Sequence, residues 1–173
     1  MKLPERKETR PERIIDAIYS IWNTRGYQML TLSTDAVTLT GSTAETVLAT
    51  VKIPAKSLGR NGAIRTTALY RVTNSANNKT LRMRLGGLAG ASMGSFITLN
   101  TLSARLVFAF QNQDNPASQV AIDGGGFGAS ASAILTGMVD TSVEQDLVLT
   151  GQLANGADSI VLESYTIEIY RRE

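Results

Sequence analysis

The sequence predicts an all-β protein, an antiparallel β-sandwich with one amphipathic helix at its N-terminal end. Three observations carry this. From Tyr27 onward, apolar residues recur at every second position, the period of a strand with one buried face. Turn signals, of which Asn61-Gly62 and Asn155-Gly156 are the strongest, break that alternation again and again, as hairpins and sheet crossings require. No helical period separates the alternating runs, which disfavours a parallel α/β sheet.

Residues 1–10 read as a charged leader. Pro11 suits a first helical position and Glu12 a first turn. Ile14, Ile15, Ile18, Ile21 and Trp22 then fall on one helical stripe, with Arg13, Asp16, Ser20 and Asn23 mostly off it, and Gly26 offers a stop. The spacing predicts a helix over 11–25. Such a stripe fits an anchor that docks on a larger assembly as well as a cap on the chain's own sandwich.

Residues 36–39 form a short candidate strand. In the next, residues 45–53, Val47, Ala49, Val51 and Ile53 oppose Leu48, Thr50 and Lys52 until Pro54 closes it. After the Asn61-Gly62 turn, Ile64, Thr66, Ala68, Tyr70 and Val72 alternate with Arg65, Thr67, Leu69 and Arg71. The polar cluster 74–78 turns the chain into Leu81, Met83 and Leu85, alternating with Arg82 and Arg84. Residues 86–94 read as a small-residue loop, followed by strands at 96–99 and 102–111. Residues 118–139 fit no single pattern, with a turn at Gly124-Gly125-Gly126 and a small-residue strand as one option for 129–138. Val143, Gln145, Leu147 and Leu149 alternate again. In a last long strand, 159–170, Val161, Tyr165, Ile167 and Ile169 share a face that Glu163 interrupts.

Composition narrows the chemistry. The chain has neither cysteine nor histidine, which removes disulfides, thiolate chemistry, the usual zinc ligands and the default general base. The net charge of +2 is local: residues 1–25 hold six basic and four acidic residues, whereas 26–173 hold eleven of each. The body is thus neutral, and no nucleic-acid partner is expected. No apolar run approaches the ~20 residues that cross a bilayer, and the leader shows no signal-peptide pattern. Glu12 and Asp16 on the polar face of the helix argue against a membrane partner.

Four segments form a familiar series: 45–54 (ETVLATVKIP), 58–65 (LGRNGAIR), 79–87 (KTLRMRLGG) and 156–170 (GADSIVLESYTIEIY). Together they resemble a jelly-roll-like module of tailed-bacteriophage virion proteins, among them capsid decoration, head-fibre and tail-appendage subunits. The resemblance spans roughly residues 40–170, the size of one domain. It implies a jelly-roll-like sandwich that trimerises and attaches through an N-terminal element, and it carries over no catalytic residue.

The remaining patterns are weighed on that background. Arg82 and Arg84 share one strand face and could grip carboxylates of a neighbouring subunit, although an exposed strand face is the commoner use of such a pair. Glu144 and Asp146 also share a face, but no aromatic-lined cleft accompanies them, so a solvated charge pair is expected rather than a glycosidase dyad. The glycine runs lack phosphate-loop spacing, and no calcium-loop pattern occurs. Asn78-Lys79-Thr80 matches a glycosylation acceptor by pattern only.

The expectation is therefore a non-enzymatic virion protein made in a host cytoplasm, a capsid decoration or head-fibre subunit without cofactor or metal. A leader and anchor helix (1–26) would precede one sandwich domain (27–173). Arg10, Arg13, Ile14, Ile15, Ile18, Ile21 and Trp22 are the candidate anchor to other virion proteins, and Arg82 and Arg84 the candidate contact between copies of a homo-oligomer, a trimer first. The alternative is a tail-fibre or receptor-binding module that takes a host surface glycan.

Overall fold

The structure, a computed structural model, describes residues 26–124, 130 and 132–172. The leader and the helix expected over 11–25 lie outside the described residues, as does the middle of the glycine-rich stretch. Among the described residues there are eleven strands and no helix.

The strands are β1 (Tyr27–Ser33), β2 (Val37–Thr40), β3 (Thr46–Ile53), β4 (Ala63–Val72), β5 (Lys79–Leu85), β6 (Ala91–Thr98), β7 (Ser103–Asn112), β8 (Gln119–Ala121), β9 (Leu135–Gly137), β10 (Gln145–Leu153) and β11 (Ser159–Tyr170). They form two antiparallel sheets. The larger runs β1-β11-β4-β7-β8-β9, with β2 also pairing β11; the smaller runs β3-β10-β5-β6. From β2 onward most connections cross between sheets; only the β5–β6 hairpin and the β7–β8–β9 run stay within one. Burying one face of each sheet against the other is what the two-residue period demands.

The core lies between them. Ile64, Ala68, Tyr70 and Val72 of β4 and Leu106, Phe108 and Phe110 of β7 meet Leu81, Met83 and Leu85 of β5 and Leu147, Leu149 and Leu153 of β10. Those of β4 and β5, with Leu147 and Leu149, follow the predicted alternation; β7 and Leu153 extend it. On the far side β8 and β9 reach back towards the smaller sheet. There a Cβ on Gly137 would stand 2.7 Å from Met93 Cε, so a larger residue would push the Met93 methyl aside where β9 approaches β6.

Three strands depart from the expected phase, each for a local reason. In β11 the register slips between Leu162 and Ser164. The bulge turns Ile160 and Leu162 inward before it and Tyr165, Ile167 and Ile169 inward after it, so Val161 lies on the opposite face from the last three. In β3 a shift where Ala49 and Val47 face Leu149 and Thr150 sends Leu48 into the core. Lastly, residues 91–94, expected to be loop, are the first half of β6. Met93 is fully buried, and Gly94 lies under the Phe108 ring, where a larger residue would collide.

Strand direction defines two poles. At one, β1 begins and β11 ends, so Gly26 and Arg171 are neighbours: the Arg171 amide donates to the Gly26 carbonyl at 2.8 Å. Loops 54–62, 113–118 and 138–144 gather there. Loops 41–45, 73–78, 99–102 and 154–158 form the opposite pole.

Candidate functional site

Arg82 and Arg84 point outward from β5, as the alternation predicts, and converge on Glu45 at the entry to β3. Arg84 forks onto it, Nε to Oε1 and Nη2 to Oε2, each at 2.8 Å. Arg82 Nη1 lies 3.3 Å from Oε2 and donates to Gln152 Oε1 at 3.0 Å. The Thr150 hydroxyl donates to Glu45 Oε1 at 2.6 Å. The Arg84 fork holds the Glu45 carboxyl below its usual range, against the opposing pull of partial burial. All three charged groups are about four-fifths buried. Within one subunit, then, much of the charge that the pair could offer a neighbour is already engaged. Glu45 was not singled out in the sequence, because a residue 39 positions away meets Arg84 only through the sheet order β3-β10-β5.

Glu144 and Asp146 likewise meet a common cation. Lys52 Nζ lies 2.8 Å from Asp146 Oδ1 and 3.5 Å from Glu144 Oε1, on an exposed surface. Asp146 and Lys52 are direct cross-strand partners, which accounts for the pairing.

The far pole encloses a second charged group. Lys79 is wholly buried, yet its Nζ donates to Ser75 O at 3.1 Å, Ser75 Oγ at 2.7 Å and Asn77 O at 2.7 Å. Asp158 Oδ2 accepts from Ser75 Oγ at 2.9 Å and Asn77 Nδ2 at 3.0 Å, and stands 3.9 Å from the ammonium. Burial pushes the Asp158 carboxyl up, but the Asn77 and Ser75 hydrogen bonds and the Lys79 charge outweigh it and leave it below its usual range. The cluster ties the 73–78 loop to the 154–158 loop.

At the near pole a neutral network does the same work. Gln119 Nε2 donates to Asn112 Oδ1, Pro116 O and Val139 O at 2.8–3.0 Å, and its Oε1 accepts the Val139 amide at 3.0 Å. Asn112 Nδ2 donates to Gly59 O at 2.8 Å and Thr141 Oγ1 at 2.9 Å. Three loops are fixed by these two buried amides.

Two shallow concavities open on that pole. The first, about 180 Å³, is walled by Lys56, Arg60, Arg171, Pro116, Thr141 and Ser142; the second, about 460 Å³, by Arg65, Arg171, Arg172, Asn61, Gln111 and Tyr170. Arg171 belongs to both, and among the described residues no acidic residue lines either. Beside the second, Tyr27 and Tyr170 pack with ring centroids 5.3 Å apart. Tyr27 is half exposed, and its hydroxyl donates to Glu168 Oε1 at 2.9 Å, which raises the phenol pKa. The sequence placed both tyrosines near strand positions without indicating that they lie on the outer face.

Arg10, Arg13, Ile14, Ile15, Ile18, Ile21 and Trp22 lie outside the described residues. Among the described residues, no three carboxylates gather as a metal site would require, and no helix is long and apolar enough to cross a membrane.

No protein-family model matches the chain, and no curated protein matches it. Solved structures resemble it at low identity. Dimeric latent PorU from Porphyromonas gingivalis superposes with a TM-score of 0.39 at 12% identity, over 83% of this chain. The chain spans only 13% of that protein's length. The winged bean acidic lectin complexed with methyl-α-D-galactose gives 0.38 at 12% identity, over 85% of this chain and 92% of the lectin. The CBM2 module of the evolved Dit of Lactobacillus casei BL23 phage J-1 gives 0.35 at 13% identity, over 72% and 70%.

Proposed function

We propose that the chain is a non-enzymatic structural subunit of a bacteriophage virion, a capsid decoration or head-fibre protein that assembles as a homo-oligomer and attaches through residues 1–26. The observation that carries this reading is the strand order. Taken as β2-β11-β4-β7 and β3-β10-β5-β6, the eight long-range partners follow the order of a jelly roll, two interlocked Greek keys, an architecture common in viral capsid domains. The step from that order to a virion is an analogy of fold, supported by the resemblance of the sequence segments to phage virion modules. One short helix buries too little apolar area to hold a subunit tightly at ~25 cal/mol per Å². Three arms on one trimer would hold it through effective concentration. The test is incorporation of the chain into particles with and without residues 1–25: loss on deletion supports the reading, and unchanged incorporation overturns it.

A second reading, a receptor-binding module at a tail appendage, is favoured by one observation. The half-exposed Tyr27 against Tyr170 gives an aromatic surface of the kind that sugar rings pack on. Binding of the whole chain to a host glycan, lost in Tyr27→Ala, would support it; no binding to any glycan would remove it.

A further inference from the structure

The near pole is electrically unlike the rest of the molecule. Lys56, Arg60, Arg65, Arg171 and Arg172 wall the two adjoining concavities, with no acidic residue among the described lining. Arg60 is partly neutralised by Asp114, whose carbonyl and Oδ1 take its Nε and Nη2 at 3.1–3.2 Å, and Arg65 by Glu168 at 4.0 Å, while Arg171 has a partner of its own. Lys56 and Arg172 have no side-chain partner among the described residues. Two exposed carboxylates of the 138–144 loop lie nearby with partners of their own: Asp140 Oδ1 accepts the Ser142 amide at 2.9 Å, and Glu144 stands 3.5 Å from Lys52 Nζ. At the far pole, by contrast, Lys79 and Asp158 are buried against one another.

We infer that the near pole is a docking surface for carboxylate side chains of a partner protein, with the two concavities as adjoining subsites. The inference deepens the attachment reading above and rests on it. Gly26, from which residues 1–25 depart, lies on this same pole beside Arg171, and those residues carry six basic against four acidic groups. The sequence before Gly26 has a net charge of +2 and cations line the concavities, so complementarity selects an acidic surface. The Arg60 side chain is held in place by Asp114 with Nη1 unused, which suits it to a carboxylate at little cost in ordering.

A protein partner fits better than a nucleic acid or an acidic glycan. A phosphodiester chain gains affinity from a long track of cations with interleaved aromatic platforms, whereas these cations converge on one pole. Among the described residues, the aromatic surface beside them holds Glu168 at its tip, so a base or sugar acid that stacked there would bring its own charge against it, whereas a carboxylate side chain needs no such platform.

The test uses the full chain and three labelled probes at ~50 mM salt, where exposed charges are weakly screened: poly-L-glutamate, oligo-dT and polygalacturonate. Poly-L-glutamate is expected to bind most tightly and to weaken as salt is raised. The pair Lys56→Glu with Arg172→Glu should weaken it about tenfold or more, as charge reversal at a docking surface does. The neutral pair Lys56→Gln with Arg172→Gln should lie between, and the control pair Arg71→Glu with Arg105→Glu, on the outer face of the larger sheet, should leave it within about twofold. Equal loss in the control pair, no loss in the reversal pair, or tighter binding of either other probe overturns the inference. Failure of the attachment reading is separate: it shows as unchanged particle incorporation when residues 1–25 are deleted, which these probes do not measure.

Discussion

Gly94 of β6 lies directly beneath the ring of Phe108 on β7, so close that a Cβ at residue 94 would stand 2.4 Å from Phe108 Cδ1. Phe108 is itself fully enclosed, and a ring has no flexible end to swing away. Gly94→Ala is therefore expected to destabilise the fold by about 1–3 kcal/mol, the usual cost of overpacking a tight core. A fall in the urea midpoint at unchanged slope would show it; a neutral result would mean that the sheets separate here without penalty. The contact also explains why residues 91–94 are strand although the sequence reads as a small-residue loop. Their smallness serves the close approach of the two sheets at this crossing.

The Arg84–Glu45 fork predicts a stability difference that depends on acidity. Removing the guanidinium in Arg84→Met leaves a largely buried carboxylate with its Thr150 and Arg82 contacts alone, a loss of about 1–3 kcal/mol at neutral pH. The folded-state pKa of Glu45 is depressed. Its contribution is therefore fully present above the unfolded-state pKa near 4.5 and is lost as pH falls through the lower folded-state value. Wild type and variant should converge in acid. Denaturation of both proteins between pH 7 and pH 2–3 checks this, and a gap that persists unchanged in acid would contradict it.

Lys79→Met should be among the most damaging single changes. The substitution keeps the length of the stem but removes the donor to two carbonyls and the Ser75 hydroxyl, all within an enclosed site. Breaking such a cluster costs on the order of 3 kcal/mol. Thermal unfolding would reveal it, and Ser75→Ala should share part of the effect because its hydroxyl bridges the ammonium to Asp158. If the two changes proved additive, the three groups would not act as a network.

Gln119→Leu tests the near pole. The change strands the Val139 amide, the Val139 carbonyl and Asn112 Oδ1, whereas Pro116 O keeps the Thr141 amide and hydroxyl, at a cost of about 2–4 kcal/mol for buried groups left unpaired. The expected signature is local. Amide exchange at Val139 and in the loop at 138–144 should accelerate well beyond that of β4 or β11. Uniform acceleration across both sheets would instead mean that the network supports the whole core.

What the sequence made legible follows from how far apart the interacting residues are. The alternation in β4, β5 and β10 located much of the core, because each strand needs only its own period. Phase changes were hidden. The bulge between Leu162 and Ser164 shifts the inward face of β11, and Glu163 interrupting the apolar face was its only trace. Lys79 was in fact readable, since it lies in phase with Leu81, Met83 and Leu85 on the inward face of β5; a lysine simply does not invite that assignment. The meeting of Glu45 with Arg84, and of Lys56 with Arg171, was beyond reach. Both depend on which strands and loops the topology makes neighbours.

The divided border of the larger sheet has a consequence for behaviour in a crowded solution. β1 and β2 lie along the same side of β11, separated by residues 34–36 and with a register shift between Met29 and Thr31. No unbroken ladder longer than a few residues is therefore offered to a stray strand on that border, whereas on the opposite border β8 pairs only three residues of β7 and leaves residues 103–109 without a strand partner on that side. An irregular border of the first kind resists uncontrolled polymerisation through backbone pairing. That restraint belongs to the β1–β2 border and does not extend to β3 and β6, the eight-residue edge strands of the smaller sheet.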